Sequence, residues 1–288
     1  MTIVTAVAAI GTLTFLLATL LLLAERKLHV EQDARIDVVY GMLPRSNCGA
    51  CGAPGCQAFA EALLRGDASP AGCTVSSAEE RQAIARYLGV ATGAQTRRVA
   101  RLACAGGSNV ARNRAHYTGT QSCVAAAQVA GGGKGCFWGC LGLGDCARSC
   151  TFDAIIMNQH ALPVVAEDNC TACGDCVASC PKDLFSLQAG DQRLWVACNN
   201  REHGDAVLAH CEVGCTACGR CALDATDGSV AMVQNLPLIT DSCAADNRQA
   251  IERCPTGAIV WLDQQHGALR GATSTPVLRH EALPDAPS

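Results

Sequence analysis

The chain opens on an unbroken apolar run. Residues 2–24 are Leu, Ala, Val, Ile, Thr, Phe and one Gly without a charge, and Glu25, Arg26 and Lys27 follow directly. At about 1.5 Å per residue such a run crosses a hydrocarbon core of roughly 30 Å, so residues 1–27 are expected to be a single transmembrane anchor. No basic residue precedes the run and no A-x-A site closes it, which argues against a cleaved signal. The basic flank favours a cytoplasmic C-terminal side, giving a single-pass protein of the bacterial inner membrane. Ala8, Gly11, Thr12 and Ala18 are small enough to admit a neighbouring helix. Residues 25–43 read as a polar continuation and linker. Residues 57–65 predict a short helix stopped by Gly66, and Ser77-Ala78-Glu79-Glu80 is a capping box for another ending near Gly89. Beyond residue 150 the apolar pieces shorten to strand length. F-D-A-I-I-M and A-L-P-V-V flank a turn at Asn158-Gln159-His160. Residues 184–187 and 194–197 flank Gly190-Asp191, and A-I-V follows Gly257. These read as β-hairpins recurring after cysteine loops, an internal repeat in an α+β fold.

Cysteine decides the chemistry. The 288 residues include 21 cysteines, while aromatic residues are 4% of the chain. Disulfides belong to oxidising compartments and small secreted domains, and zinc sites pair C-x2-C units across a long gap. Here Cys170, Cys173, Cys176 and Cys180 precede Pro181 with spacing C-x2-C-x2-C-x3-C-P, the ligand run of bacterial 4Fe–4S ferredoxins. Three cysteines of such a run bind one cluster and the fourth reaches into the other. Cys136, Cys140 and Cys146 are therefore expected to join Cys180, and Cys170, Cys173 and Cys176 to join Cys150. Cys215, Cys218 and Cys221 pair with Cys254. The sister cluster of that pair would need Cys243 with positions 246, 249 and 225, which are Asp246, Gln249 and Ala225; its losses fall together on one cluster, and Cys243 reads as a relic. Upstream, Cys48, Cys51, Cys56 and Cys73 are spaced C-x2-C-x4-C-x16-C in a glycine-rich setting and form a helical cluster module. Four 4Fe–4S clusters follow, and Cys104, Cys123, Cys198 and Cys211 offer a fifth. Cys104 and Cys198 end similar segments, V-A-R-L-A-C and L-W-V-A-C, so they are expected to close equivalent strands. With so few aromatics, each module depends on its metal for folding.

The expected order is an anchor over residues 1–27, a small helical 4Fe–4S module over 28–90 and a basic Gly/Ala-rich connection over 91–135. A two-cluster ferredoxin-like domain over 136–197 follows. A degenerate domain with one retained cluster spans 198–262, before a flexible tail over 263–288. Net charge is −4, yet residues 81–144 hold eight Arg or Lys and no Asp or Glu. Arg97, Arg98, Arg101, Arg112 and Arg114 in that stretch are candidates for docking an acidic electron carrier; the competing reading is a solvated or membrane-facing basic surface. No G-x-G-x-x-G follows a strand, and Gly131-Gly132-Gly133-Lys134-Gly135 lacks the spacing and hydroxyl residue of a P-loop. The seven His are scattered without a metal or Rieske pattern, and Arg270-Gly271-Ala272-Thr273-Ser274-Thr275 is only faintly like a flavin-attachment sequence. No catalytic residue is expected beyond electron transfer.

The anchor, the C-G-A-C-G-A-P-G-C module with Cys73, G-G-K-G-C-F-W-G-C-L-G-L-G-D-C, the C-x2-C-x2-C-x3-C-P run and V-G-C-T-A-C-G-R-C together resemble the long, multi-cluster form of the B subunit of the Rnf ion-translocating oxidoreductase. The likeness covers nearly the whole chain, with the degraded fourth ferredoxin-like motif as its departure. It implies an electron-transfer subunit of a membrane translocase. That subunit would exchange electrons with soluble ferredoxin and partner redox subunits, coupled to Na+ or H+ transport and NAD chemistry in the whole complex, without nucleic acid. The alternatives are a membrane-anchored ferredoxin-like subunit of a hydrogenase- or dehydrogenase-type complex, a cluster-bearing redox sensor and a structural zinc protein.

Overall fold

The computed structural model describes residues 2–28, 33–94, 97–240, 247–263 and 265–285. Helix α1 (Thr2–Leu28) carries the apolar run. Its segment Val4–Ala24 has mean hydropathy 2.4 and none of it is buried, so by length and composition it is able to cross a membrane. The hydroxyls of Thr12, Thr14 and Thr19 donate to carbonyls three and four residues back, which satisfies them within the helix itself.

Residues 33–43, expected as linker, instead form α2 (Ala34–Met42), capped by the Asp33 side chain. Ile36, Val39, Tyr40 and Leu43 recur at helical spacing and supply its apolar face. That face packs on α3 (Cys56–Arg65), which Gly66 ends in left-handed conformation, and on α4 (Ala78–Leu88), which starts at the predicted Ser77–Glu80 capping box. Val39, Phe59, Leu63 and Ile84 bury together with Cys56 and Cys73.

The rest is short strands and one-turn helices. They run β1 (Arg98–Leu102), α5 (Cys123–Gln128), α6 (Asp145–Ser149), β2 (Ile155–Met157), β3 (Pro163–Val165), α7 (Asp175–Ser179), β4 (Phe185–Ala189) and β5 (Leu194–Val196). Then follow α8 (Asp205–Leu208), α9 (Arg220–Asp224), β6 (Val230–Val233), β7 (Leu236–Ile239), α10 (Gln249–Glu252), β8 (Ile259–Asp263) and β9 (Gly267–Leu269). β2 and β3 form the hairpin read around residues 158–160, and β6 and β7 form another. The hairpin expected around Gly190-Asp191 does not form. β4 pairs antiparallel with β1, Phe185 opposite Leu102, and β5 pairs with β8, Leu194 opposite Trp261. A lone two-stranded hairpin is marginal in water. Here each strand pairs with a segment beside another cysteine loop, and the buried Gln192, donating to the Leu194 carbonyl, turns the chain between the two pairings.

This exchange makes the strands before Cys104 and Cys198 equivalent. β1 lies on the segment after Cys180-Pro181 and β5 on the segment after Cys254-Pro255. Ala103 N–H donates to Leu184 O and Ala197 N–H to Ala258 O, both at 2.8 Å. The two halves meet where Ala105 N–H reaches Ala197 O at 3.0 Å and Trp195 Nε1 reaches Leu102 O at 2.9 Å. Val110, Ala111, Cys211 and Val213 are buried at this seam.

The chain beyond residue 263 is not loose over its described part. Thr273 N–H bonds Glu252 O, Leu283 N–H bonds Ser108 O, and Arg279 pairs with Glu212. The basic stretch is also engaged internally. Arg101 is buried and paired with Glu167. Arg97 donates to Glu167 O and Arg98 to Leu187 O, while Arg112 and Arg114 reach the carbonyls of Pro284 and Ala130. An acid-free, glycine-rich segment exposes many carbonyls, and guanidinium groups with five donors satisfy them. These five arginines therefore pin the connecting region, and none presents a wholly free guanidinium to a partner.

Candidate metal centres

The local unit that positions the cysteines is repeated three times in one backbone form. In 140–146, 170–176 and 215–221 the third residue (Gly142, Ala172, Ala217) and the fifth (Gly144, Gly174, Gly219) have positive φ. The fifth residue precedes α6, α7 and α9, and a left-handed turn there is why glycine stands in all three. The fourth residue is Cys173 in one unit, Cys218 in another and Leu143 in the first. The first unit therefore lacks one sulfur.

Cys123 stands at the gap. It is the first residue of α5, and Asp145 clamps that helix end to α6 by accepting from Ser122 Oγ at 2.9 Å and Val124 N at 3.0 Å. Burial pushes the Asp145 carboxyl up, but these two donors and Arg148 outweigh it and hold the group below the usual carboxylate range. Cys123, Cys140, Cys146 and Cys180 line one cavity.

Cys136 is thereby released from the grouping its spacing predicts. It lines a second cavity with Cys104, Cys198 and Cys211. This junction cage draws two sulfurs from each half of the repeat. Cys136 precedes Cys140 by the same four residues that separate Cys211 from Cys215, and Cys104 and Cys198 follow equivalent strands. The backbone N–H of Gly106 donates to Cys104 Sγ at 3.4 Å and that of Asn200 to Cys198 Sγ at 3.5 Å. Each of these sulfurs also accepts from the first cysteine of the adjoining unit. Cys140 N–H reaches Cys104 Sγ at 3.5 Å and Cys215 N–H reaches Cys198 Sγ at 3.3 Å.

The remaining groupings follow the spacing. Cys150, Cys170, Cys173 and Cys176 line one cavity, and Cys215, Cys218, Cys221 and Cys254 another. In the helical module Cys51, Cys56 and Cys73 share one core. Burial pushes the Cys51 thiol up, and the charges of Cys73 and Cys48 add to it. The Asn47 side chain fixes the start of α3 by accepting from Cys56 N at 2.8 Å, and Ser76 Oγ lies 3.2 Å from Cys73 Sγ. Cys243 and Asp246 lie outside the described residues. Where the degenerate motif can be followed, Asn247 is buried and accepts from Thr226 N and Oγ1 while donating to Ser229 Oγ. A polar network thus forms next to Ala225, one of the positions where the motif would need a cysteine, and Gln249 opens α10.

The donor chemistry suits a polynuclear iron centre. Among the described residues no three His, Cys, Asp or Glu converge closely enough for a single metal ion, yet four sulfurs face each cavity and backbone N–H groups aim at several of them, as at Cys150 and Cys180. Burial is the main force pushing the thiols up, to about 11 at Cys136 and Cys146 and about 12 at Cys140, Cys176 and Cys211, with neighbouring cysteine charges adding to it. Four such sulfurs are held together as thiolates only by a multiply charged cation. The signals that sequence spacing missed were the shared C-x3-C step at 136/140 and 211/215 and the register that sets Leu143 on Cys173.

A family model described as "Putative Fe-S cluster" matches residues 43–75, which span Cys48, Cys51, Cys56 and Cys73. The chain is 34% identical to the B subunit of the Na(+)-translocating ferredoxin:NAD(+) oxidoreductase complex of Acetobacterium woodii, over 83% of this chain and 72% of that one. It is 31% identical to the B subunit of the ion-translocating oxidoreductase complex of Methanosarcina acetivorans, over 89% and 97%. It is 33% identical to the B subunit of the proton-translocating ferredoxin:NAD(+) oxidoreductase complex of Clostridium ljungdahlii, over 81% and 84%. With cysteine cages, an apolar N-terminal helix and this likeness along most of its length, the chain belongs to the family of B subunits of Rnf-type ion-translocating oxidoreductase complexes.

Proposed function

We propose that this chain is the electron-relay subunit of an Rnf-type complex and that it binds five 4Fe–4S clusters. The sets would be Cys48/Cys51/Cys56/Cys73, Cys150/Cys170/Cys173/Cys176, Cys123/Cys140/Cys146/Cys180, Cys104/Cys136/Cys198/Cys211 and Cys215/Cys218/Cys221/Cys254. A bound cluster supplies reversible one-electron exchange in each cage. The chain's own residues hold the cages in a row. α6 and α7 set the second and third side by side, with Ser149 Oγ 3.1 Å from Ser179 Oγ. The observation that carries the reading is the pair of N–H···S hydrogen bonds from Cys140 and Cys215, which tie the junction cage to a cage on either side. The helical module faces the Cys170 end across a polar cleft lined by Thr74, Arg81 and Thr171.

The two ends of the row differ in access. The helical module follows the membrane-type helix in sequence, whereas Cys218 at the other end is the one exposed cysteine among those described. We assign the Cys218 end to exchange with a soluble carrier, ferredoxin by the relatives' names, and the helical end to membrane partners that carry the ion and NAD chemistry. The anchor crosses once, with the cages on the cytoplasmic side, as Arg26 and Lys27 favour. Anaerobically purified full chain is expected to hold about twenty irons and as many sulfides, and reduced ferredoxin should reduce them in a salt-dependent second-order reaction. Zinc in place of iron, or clusters that ferredoxin leaves oxidised, would overturn the assignment.

A further inference from the structure

Two partly buried cations beside the cages lack carboxylate partners among the described residues. Lys134 lines the junction cage, and its Nζ donates to the carbonyl of Gly106 and, at 2.7 Å, to that of Cys140 in the next cage. Among the described residues no carboxylate pairs with it, and residues 81–144 contain none. The anions it faces are thiolates: its charge pulls the Cys136 and Cys140 thiols down against their burial. Arg270 lies beside the last cage, against the chain between Thr256 and Ala258 that lines it. It comes from the Arg-Gly-Ala-Thr-Ser-Thr tail, which the hydrogen bonds of Thr273 and Ala272 to Glu252 strap against the second half. Its stem lies on Gly257, where a Cβ would come within 2.6 Å of Cδ and φ is +65°. No carboxylate among the described residues pairs with its guanidinium. Burial pulls the guanidinium down, and the opposing charges are those of Cys254 in the last cage and Cys211 in the junction cage.

Even partial burial makes a cation without a carboxylate partner costly unless another anion answers it. Four thiolates around an iron–sulfur core leave a net negative charge that grows on reduction. We propose that Lys134 is a fixed counter-charge shared by the junction cage and the Cys140 cage, that Arg270 is the counter-charge of the last cage, and that they raise the reduction potentials along this stretch of the row. The proposal rests on the five-cage reading above. Each cation would stabilise an added electron in the cages it adjoins. The tail, which spacing left without a task, thereby becomes part of the relay.

The test is potentiometric EPR on full chain, with iron and sulfide counted first. In Arg270→Met the iron count is expected to stay at the wild-type value while the last-cage midpoint moves negative; Arg270→Lys, which keeps the charge, should restore it. Lys134→Met should move the junction midpoint and that of the Cys140 cage. Full iron with unmoved midpoints in both methionine variants overturns the counter-charge role alone. A wild-type chain with four irons fewer overturns the junction cage itself. If Lys134→Met loses iron through its broken carbonyl bonds, Arg270→Met against Arg270→Lys decides, because among the described residues no carbonyl accepts from that guanidinium.

Discussion

Replacing Cys104 and Cys136 together by alanine separates the grouping seen in the structure from the one that spacing predicts. In the structure both sulfurs line the junction cage, so the pair removes half of one donor set and leaves the other sets whole. A 4Fe–4S centre with two protein sulfurs is not retained, and the iron content should fall from about twenty to about sixteen, with about one-fifth of the cluster absorbance lost. Adding Cys198→Ala and Cys211→Ala should cost nothing more, because those sulfurs belong to the cage already emptied. Under the spacing grouping, Cys136 serves with Cys140, Cys146 and Cys180, while Cys104 serves with Cys123. The double variant would then strip one sulfur from each of two sets and perturb two EPR signals. The assay is iron and sulfide per chain with EPR of the dithionite-reduced protein under anaerobic conditions. Two altered signals in the double variant, or a further drop of about four irons in the quadruple, would refute the structural grouping.

Three other outcomes are expected. In a Cys123→Ala background, Leu143→Cys should restore the lost irons, because Leu143 occupies the register of Cys173 and Cys218; a rescue no better than Leu143→Ser would refute that register. Asn247→Ala leaves the Thr226 amide and Ser229 hydroxyl without their buried partner, so stability should drop by about 1–3 kcal/mol in anaerobic denaturant unfolding, with iron unchanged. Chelating the iron should collapse the circular dichroism of the strand-rich part, since its two cores are built around Cys146 and Cys176 and around Cys215, Cys221 and Cys254; an apo chain that kept its signal would show packing that stands without metal.

Several features were legible along the chain because their causes are local. An apolar run long enough to span a bilayer is a property of consecutive residues, and so are the Ser77–Glu80 capping box and the Gly66 stop. The C-x2-C-x2-C run fixes a cluster loop because three sulfurs within seven residues and two left-handed positions leave the backbone little choice. Local order along the chain therefore carries the chemistry, the family and three of the proposed donor sets: Cys48 with Cys51, Cys56 and Cys73, Cys150 with the Cys170 run, and Cys215 with Cys218, Cys221 and Cys254. The other eight cysteines are divided by packing. Strand pairing across some ninety residues, β1 to β4, brings Cys104 to the seam, and the Asp145 clamp carries Cys123 to Cys146. The same long-range closure turns Arg101 inward onto Glu167 and lays the tail along α10, so that Arg270 comes to lie beside the last cage. Spacing encodes which sulfurs share a loop, whereas a cage assembled from four separate segments exists only once those segments pack, because no single stretch of chain carries its geometry.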